Sequence, residues 1–338
     1  MQYIESKIIL KFLSFVKVIN FAKLYISFLY SRLNHKAKIL GQPVALSIEP
    51  TTTCNLGCPE CPSGLRQFSR KTGNLTTELN KKIIDQLFKK LSYINYYFQG
   101  EPYLNKNFFD FIKYANSKNI FCSTSTNGHF LSDKNCQKTI ESGLKRLIIS
   151  IDGNDQKSYE MYRKNGNYER VIRGTKNIIK WKRTFDSQYP HIIFQFLIVK
   201  PNEHLVDEMK TLSKELGVNE FRVKTAQFYD FKNGNSLMPE NQKYSRYIRK
   251  KDGKYYLKNK LNNHCWRMWS SAVITVNGEL VPCCFDKDAT HKIGNLKSQS
   301  FNDIWFSDTY NRFRNKILNE REEIDICKNC SEGSKIWA

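Results

Sequence analysis

The chain has 338 residues, of which 40% are hydrophobic and 25% charged, and its formal net charge is +22 at pH 7. This length and apolar content provide for a substantial core and exclude a small disulfide-framed domain; they are typical of one large α/β unit with a smaller appendage. The positive charge favours anionic partners, namely nucleic acid, phosphorylated substrates or an acidic membrane surface, without choosing among them.

The first 40 residues predict an amphipathic helix. The longest uncharged stretch, Leu24 to Ser31, is far shorter than the ~20 apolar residues of a membrane span. No apolar region with a small-residue cleavage site marks a secretory signal, so we expect a cytoplasmic protein. Lys7, Lys11 and Lys17 fall on one helical stripe, and the segment carries seven Lys or Arg against one Glu. The helix either packs on the next domain or lies on an anionic membrane surface, and both interpretations stay open.

A cysteine motif follows the first predicted strand, residues 44–50. The run TTTCNLGCPECP holds Cys54, Cys58 and Cys61 at the spacing C-x₃-C-x₂-C. Three thiolates this close can bind three corners of a cubic iron–sulfur cluster, and the absence of a fourth cysteine nearby leaves one iron open. A zinc site completed by a distant residue has the same local spacing, so the motif alone leaves both metals open.

Strand-like and helix-like segments alternate from residue 43 to about residue 226. Further strands are predicted over 94–99, 120–126, 146–152, 192–199 and 220–227, and helices over 75–91, 107–117 and 202–216. About six β–α units of this kind predict a parallel barrel or an open parallel sheet. We therefore expect the α/β class: a partial (β/α)₆ TIM-like barrel with an N-terminal helix and a small C-terminal β-hairpin and helix domain.

A basic segment, residues 243–260, interrupts this alternation. It holds eight Lys or Arg against one Asp, with four tyrosines interleaved. The pattern predicts an exposed linker or hairpin. Interleaved aromatic rings and cations can contact nucleic acid, but a solvated surface is the more common meaning of such a run.

The remaining residues predict a second unit. Asn277-Gly278 between two apolar runs is a strong hairpin signal, and a helix is predicted over 301–318. The hairpin and a final loop would bring four thiolates together, from Cys265, Cys283, Cys327 and Cys330. Such a set predicts a metal centre, either an iron–sulfur cluster or structural zinc. Cys284 could replace Cys283, could be a spare thiol near substrate, or could simply be packed.

The first motif resembles the radical S-adenosylmethionine (radical SAM) superfamily, and the match extends beyond the cysteines. The runs QGEP (99–102), STNG (125–128) and SIDG (150–153), together with EMYRKNG, fall where that family places its cofactor contacts. The resemblance implies that Cys54, Cys58 and Cys61 hold a 4Fe–4S cluster that binds S-adenosylmethionine. It also implies cofactor contacts from Gly100, Glu101, Asn127, Ser150 and Arg163. All follow or end predicted strands, where barrel enzymes place their sites.

One position departs from the family. The residue before the third cysteine is commonly aromatic and lies against the adenine, but here it is Glu60. Leu197 or Val199 on the fifth strand could supply that contact instead. Glu49 and Thr52, before the cysteine loop, and Lys224, on the last strand, are further candidates for the pocket.

The second unit resembles the SPASM domain and its shortened form, twitch. The spacing from Cys265 through Gly278 to Cys283 fits both forms, and only eight residues follow Cys330, so we expect the one-cluster form. The resemblance implies that Cys265, Cys283, Cys327 and Cys330 hold an auxiliary 4Fe–4S cluster.

The resemblance implies an enzyme that generates a 5′-deoxyadenosyl radical. A closed auxiliary cluster can accept an electron, so we expect an oxidative modification, either dehydrogenation or a cross-link, of a small molecule, sugar or peptide. Two alternatives stay open: a radical SAM enzyme that modifies RNA, and a zinc-stabilised binding protein without catalysis. The expected partners are the substrate, an electron donor of flavodoxin or ferredoxin type, and an acidic membrane surface at residues 1–40; nucleic acid is not excluded.

The predicted divisions are a helical segment (1–42), the radical SAM barrel (43–240), the basic linker (241–262) and the auxiliary-cluster domain (263–338).

Overall fold

The structure is a computed structural model that describes residues 12–258 and 260–330. Its centre is a sheet whose first six strands follow the chain: β1 (Ala45–Ile48), β2 (Tyr93–Asn95), β3 (Phe121–Thr126), β4 (Arg146–Ser150), β5 (His191–Ile198) and β6 (Glu220–Thr225). These strands are parallel, and each pairs with its neighbours in sequence. All six strands predicted for this region are therefore confirmed, as is the α/β class with a largely parallel, barrel-like sheet.

Of the α-helices before β6, one precedes the first strand, and the others lie in the connections between the strands. They are α1 (Phe15–Asn34), α2 (Pro62–Leu65), α3 (Thr77–Leu87), α4 (Phe108–Ser117), α5 (Asp133–Glu141), α6 (Gln156–Tyr162), α7 (Tyr168–Thr184) and α8 (Val206–Glu215). Several begin at a side-chain cap: Thr76 accepts a hydrogen bond from the Leu79 amide, and Asp155 accepts one from Ser158. The core lies between these helices and the outward-facing residues of the strands, such as Phe194 and Phe196 of β5, which are fully buried.

The basic segment folds into a small hairpin, β7 (Tyr247–Arg249) with β8 (Tyr255–Leu257). Tyr247 is fully buried and Arg246 is 8% exposed. The prediction of a solvated surface is therefore wrong for these two residues, since they pack inward toward the end of β6.

The C-terminal hairpin extends the central sheet. After the short helix α9 (Arg267–Ser270), β9 (Ser271–Ile274) pairs in parallel with β1, and β10 (Glu279–Val281) and β11 (Gly294–Asn295) follow antiparallel. The strand order is β11-β10-β9-β1-β2-β3-β4-β5-β6. The hairpin turns at Gly278, whose φ of +80° suits a residue without a side chain. The predicted hairpin is confirmed, but one continuous sheet crosses the predicted division at residue 263.

The C-terminal helical prediction needs correction. Instead of one helix over 301–318, two form: α10 (Phe301–Trp305) and α11 (Asp308–Asn319). Ser307 separates them, because its side chain accepts a hydrogen bond from the Tyr310 amide and so begins the second helix.

Helix α1 buries polar side chains such as Lys17 and Asn20 along with the apolar Leu24 and Phe28. Lys17 is buried and donates to the carbonyl oxygens of Phe12 (3.0 Å) and Asn119 (2.8 Å). Burial lowers the pKa of this lysine to about 8. Asn20 exchanges two hydrogen bonds with the backbone of Gln42. The predicted helix is confirmed, although Lys7 and Lys11 of its predicted stripe lie outside the described residues.

The outward side of α1 is apolar. Phe15 is 80% exposed, Ile26 61% and Leu33 77%. Within the part of the chain that the structure describes, no helix is both long enough and apolar enough to cross a bilayer.

Candidate functional site

The three cysteines of the first motif line one pocket at the carboxyl end of the parallel strands. Their loop is anchored on both sides: the Gly57 amide donates to the carbonyl of Lys164 (2.9 Å), and the Leu65 amide of α2 donates to that of Cys61 (2.9 Å). Burial, with smaller contributions from Glu101 and the two neighbouring thiols, raises the pKa of the Cys54 thiol to about 12. A metal that binds such a thiol displaces its proton outright, so a high pKa is no obstacle to ligation.

The QGEP run lies directly against this loop. Gly100 has φ +71°, and a Cβ at this position would lie 2.2 Å from the carbonyl oxygen of Thr51. Its amide donates to the Ser63 hydroxyl (2.9 Å), and the Glu101 amide donates to the carbonyl of Thr53 (2.8 Å). Only glycine fits here, because the backbone of the loop after β2 lies so close to the backbone of the cysteine loop. This close contact gives a physical reason for the glycine of the QGEP run.

The Glu101 carboxylate is buried in the pocket and held in one orientation. It accepts hydrogen bonds from the Thr126 hydroxyl (2.7 Å) and from the Asn127 amide (2.7 Å). Burial nevertheless raises the pKa of Glu101 to about 7, because these hydrogen bonds only partly offset the loss of solvent. A fixed acceptor of this kind suits a nitrogen donor on a ligand.

The other three predicted cofactor contacts line the same pocket. The side-chain nitrogen of Asn127, Nδ2, donates to the side-chain oxygen of Asn55 (2.8 Å) and lies 3.9 Å from the Cys54 sulfur. Arg163 forms an ion pair with Asp152 and lies 3.9 Å from the Cys58 sulfur. Ser150 ends β4 at this edge. The structure thus brings together all eight residues that the sequence predicts for this site.

The weaker pocket predictions have mixed outcomes. Glu60, Leu197 and Lys224 line the pocket. Glu49 does not: it is fully buried, pairs with both terminal nitrogens of Arg70 (2.6 and 2.8 Å) and accepts from the Val276 amide (3.1 Å). This carboxylate therefore ties the β9–β10 turn to the end of β1. Thr52 and Val199 are also buried outside the pocket lining.

The four C-terminal cysteines form a second thiol group beside the first pocket. Cys265, Cys327 and Cys330 are buried, and Cys283 is partly buried. Burial raises the pKa of Cys327 to about 12, with Cys330 and Cys265 adding to the rise while Arg321 opposes it. Arg321 lies with its guanidinium 3.7 Å from the Cys330 sulfur. Cys265 and Cys327 belong to one buried cluster against which Cys283 packs, so thiols of the second group lie near one another.

The final loop joins the two thiol groups. Asn329, between the last two cysteines, donates to the Phe228 carbonyl (2.5 Å) and accepts from the Tyr247 hydroxyl (2.8 Å). Gln227, which lines the first pocket, donates to the Asn329 carbonyl (3.2 Å). Cys284 also lines that pocket and is the largest influence on the pKa of Cys283. The second thiol group therefore lies directly behind the wall of the first pocket.

The donor sets fit two iron–sulfur clusters. Over residues 12–258 and 260–330, no three His, Cys, Asp or Glu side chains converge on a point that could hold a single metal ion. An iron–sulfur cube takes one ligand at each corner, so its ligands surround it and need not converge on one point. Three thiols in the pocket loop and four in the second group supply the soft donors that such clusters take.

Sequence reasoning missed several pocket residues, namely Tyr97, Gln227, Arg246, Phe285 and Lys287. Tyr97 follows β2, where the alternation of the strand could have shown it. Arg246 and Lys287 come from segments far apart in the chain, and no local spacing could have placed them together.

Comparison with protein families gives two matches. Residues 48–184 match the family model described as the radical SAM superfamily, and residues 265–331 match the one described as an iron–sulfur cluster-binding domain, SPASM. Together they include all the cysteines of both thiol groups.

Comparison with curated proteins finds distant relatives. The chain is 24% identical over 296 residues to the S-adenosyl-L-methionine-dependent 2-deoxy-scyllo-inosamine dehydrogenase of Niallia circulans, covering 86% of this chain and 93% of that protein. It is 24% identical over 317 residues to the tungsten-containing aldehyde ferredoxin oxidoreductase cofactor-modifying protein of Pyrococcus furiosus, covering 85% and 86%. The match to the PqqA peptide cyclase of Bradyrhizobium diazoefficiens, at 24% identity, covers 60% of this chain and 52% of the relative.

Solved structures share the fold. BtrN in complex with AdoMet and 2-DOIA has a TM-score of 0.53 at 20% identity, covering 86% of this chain and 94% of that one. Native anSMEcpe with bound AdoMet has a TM-score of 0.62 at 16% identity, covering 87% and 91%. At these identities the likeness concerns the fold alone.

Proposed function

Because this chain belongs to the radical SAM superfamily and carries a SPASM-type cluster-binding domain, we propose that it oxidises a small molecule, sugar or peptide by removing hydrogen from carbon. The superfamily works with S-adenosylmethionine, the 4Fe–4S cluster that binds it and, in SPASM proteins, auxiliary clusters. The observation that carries the oxidative proposal is the second thiol group, which lies against the wall of the first pocket.

In this proposal the first pocket holds the cofactor pair. Its residues are Cys54, Cys58 and Cys61 for the cluster, and Gly100, Glu101, Asn127, Ser150 and Arg163 for S-adenosylmethionine. When bound, the pair supplies a reductively formed 5′-deoxyadenosyl radical that takes hydrogen from carbon.

The pocket residues bind and orient the ligand and shield it from water. The Glu101 carboxylate is already fixed by Thr126 and Asn127, so it accepts a hydrogen bond from a ligand amino group without rearranging. Leu56 is 1% exposed and Phe98 is 3% exposed, and both line the pocket. Such apolar side chains keep water from a reactive intermediate.

The four thiols of Cys265, Cys283, Cys327 and Cys330 would hold the auxiliary cluster. A site with four thiolate ligands has no corner open to substrate, so its role is to exchange electrons. Loss of a hydrogen atom to the 5′-deoxyadenosyl radical, followed by loss of an electron to the auxiliary cluster and of a proton to solvent, would be a net two-electron oxidation of the substrate. The similarity to the dehydrogenase named above, which covers 86% of this chain, supports an oxidation of this kind.

Two partners complete the proposal. The starting electron comes from a small redox protein of flavodoxin or ferredoxin type, and the net charge of +22 favours an acidic donor of this kind. The exposed apolar side of α1 rests on an anionic membrane surface. No Asp or Glu occurs between residues 6 and 48, so cations alone flank this apolar side.

The two alternatives fare differently. A zinc-stabilised protein without catalysis does not agree with membership of an enzyme superfamily that uses iron–sulfur chemistry. The RNA-modifying alternative depended on the net charge and on the basic segment, in which Arg246 and Tyr247 are buried while the other Lys and Arg residues are exposed. It stays a second candidate.

The test is an anaerobic incubation of the reconstituted enzyme with S-adenosylmethionine, a reductant and a cell extract. Mass spectrometry should reveal a metabolite or peptide that loses two hydrogens as 5′-deoxyadenosine forms. In Cys327→Ala we expect 5′-deoxyadenosine formation to continue while product formation falls by at least about tenfold, because the electron acceptor is lost.

The matched control is Cys136→Ala, which removes a buried cysteine of α5 that belongs to neither thiol group. It should retain both 5′-deoxyadenosine and product formation. Normal turnover by Cys327→Ala would show that the second thiol group is not the electron acceptor.

A further inference from the structure

A cluster of cationic side chains lies in the pocket, on elements that contribute no cysteine to the first motif. Lys224 comes from β6, Arg246 from the segment before β7, and Lys287 from the loop after β10. Three segments that are distant in sequence thus each contribute a basic residue to the lining of the same cavity.

The arginine of this cluster is fixed. Its Nε donates to the Thr225 hydroxyl (2.8 Å) and a terminal nitrogen donates to the Thr225 carbonyl (2.9 Å).

Lys224 stands beside it without a counter-ion. Its side chain opens to the pocket, and among the described residues it makes no hydrogen bond or ion pair. Partial loss of solvent lowers the pKa of Lys224, and repulsion from Arg246 and Lys287 lowers it further. A bound anion would relieve this repulsion.

The acidic groups that line the pocket are engaged by other donors. Glu101 is oriented by Thr126 and Asn127 beside the cysteine loop. Glu60 accepts from the Tyr229 amide (3.2 Å) and from the Asn235 side chain (2.9 Å). Among the described residues, neither of these two carboxylates pairs with Lys224.

Resting on the proposed function, we infer that the substrate carries a phosphoryl group, as a phosphate ester or a diphosphate, which Lys224, Arg246 and Lys287 bind in the pocket. A lone carboxylate carries one charge, whereas three cations from three directions match the several charges and oxygens of a phosphoryl group. The subsite shares its cavity with the cofactor residues and with Cys284, so it holds the charged end of a substrate whose carbon faces the cofactor.

The test uses inorganic pyrophosphate as the probe, titrated calorimetrically into the reconstituted holoenzyme with S-adenosylmethionine bound, at fixed ionic strength. Malonate, a dicarboxylate, is the comparison anion. We expect pyrophosphate to bind at least about tenfold more tightly than malonate, and Lys224→Met and Lys287→Met each to weaken it by about tenfold or more.

Lys224→Arg, which keeps the charge, should retain binding within a few-fold. The matched control is Lys232→Met, an exposed lysine outside the pocket lining, which should bind pyrophosphate as the wild type does. Three results would each overturn the inference. Pyrophosphate does not bind, Lys232→Met weakens its binding as much as Lys224→Met does, or malonate binds as tightly as pyrophosphate.

The two proposals fail differently. An enzyme that holds its clusters and cleaves S-adenosylmethionine, but does not bind pyrophosphate, contradicts only the phosphoryl subsite. A protein that holds no iron–sulfur cluster contradicts the proposed function itself.

Discussion

Glu101 is the residue whose protonation most directly affects the first pocket. Burial disfavours its charged form, so in the ligand-free protein its pKa is raised to about 7. Above this pH the side chain is a carboxylate and can accept a hydrogen bond from an amino group. Below it, the carboxyl group is neutral and must release a proton before it can act as a charged acceptor.

We therefore predict that S-adenosylmethionine binds the cluster-loaded enzyme more weakly as the pH falls from 8 to 6. The loss should approach about tenfold per pH unit below pH 7, because one proton must leave Glu101 on binding. Equilibrium dialysis measures this dependence directly. Glu101→Gln should bind weakly with a flatter pH profile, whereas Glu60→Gln should keep the wild-type profile. Identical profiles for wild type and Glu101→Gln would contradict the role of Glu101.

Local motifs made part of this site predictable from the sequence. Cys54, Cys58 and Cys61 share one loop, and Gly100 must be glycine because the Thr51 carbonyl lies so close. Lys224 and Lys287, in contrast, belong to segments that meet only through the tertiary fold. Their chemistry is visible in the sequence, but their proximity is not.

At the scale of elements, helix α1 shows how a predicted element can bury an unexpected face. The lysine stripe in the first 40 residues predicted an amphipathic helix, and residues 15–34 form one. Lys17 and Asn20 nevertheless turn inward, because the protein backbone supplies acceptors and donors for them at Asn119 and Gln42. Ile26 stays exposed while Leu24 and Phe28 are buried, and only the tertiary contacts reveal which apolar side chains face the core.

We predict that the protein co-sediments with vesicles of equimolar phosphatidylcholine and phosphatidylglycerol, and far less with phosphatidylcholine alone. Ile26→Glu should weaken this binding by about tenfold, because it replaces an exposed apolar side chain that would enter the lipid with a charge that the anionic surface repels. High salt should also weaken it.

The matched control for the vesicle experiment is Ile248→Glu, which changes an exposed isoleucine in β7. This variant should bind the vesicles as the wild type does. Unchanged binding by Ile26→Glu would contradict the membrane proposal. A second outcome would also contradict it: the wild type forms a dimer without lipid, and Ile26→Glu abolishes that dimer. A second copy of the chain would then cover the apolar side of α1.

At the scale of the whole molecule, one sheet carries both thiol groups. The pairing of β1 with β9 joins the barrel strands to the C-terminal hairpin, and Glu49 with Arg70 secures that junction. The sequence predicted two separate units because a basic segment divides them. Strand pairing between residues more than 200 positions apart has no local signal, so the continuous sheet was not predictable.

The central claim is that the two thiol groups hold one four-iron cluster each, and metal analysis of the anaerobically reconstituted protein tests it most directly. We predict about eight iron and eight sulfide per chain, and about four of each in Cys58→Ala and in Cys327→Ala. Zinc in place of iron, or a full iron content in either variant, would contradict the account.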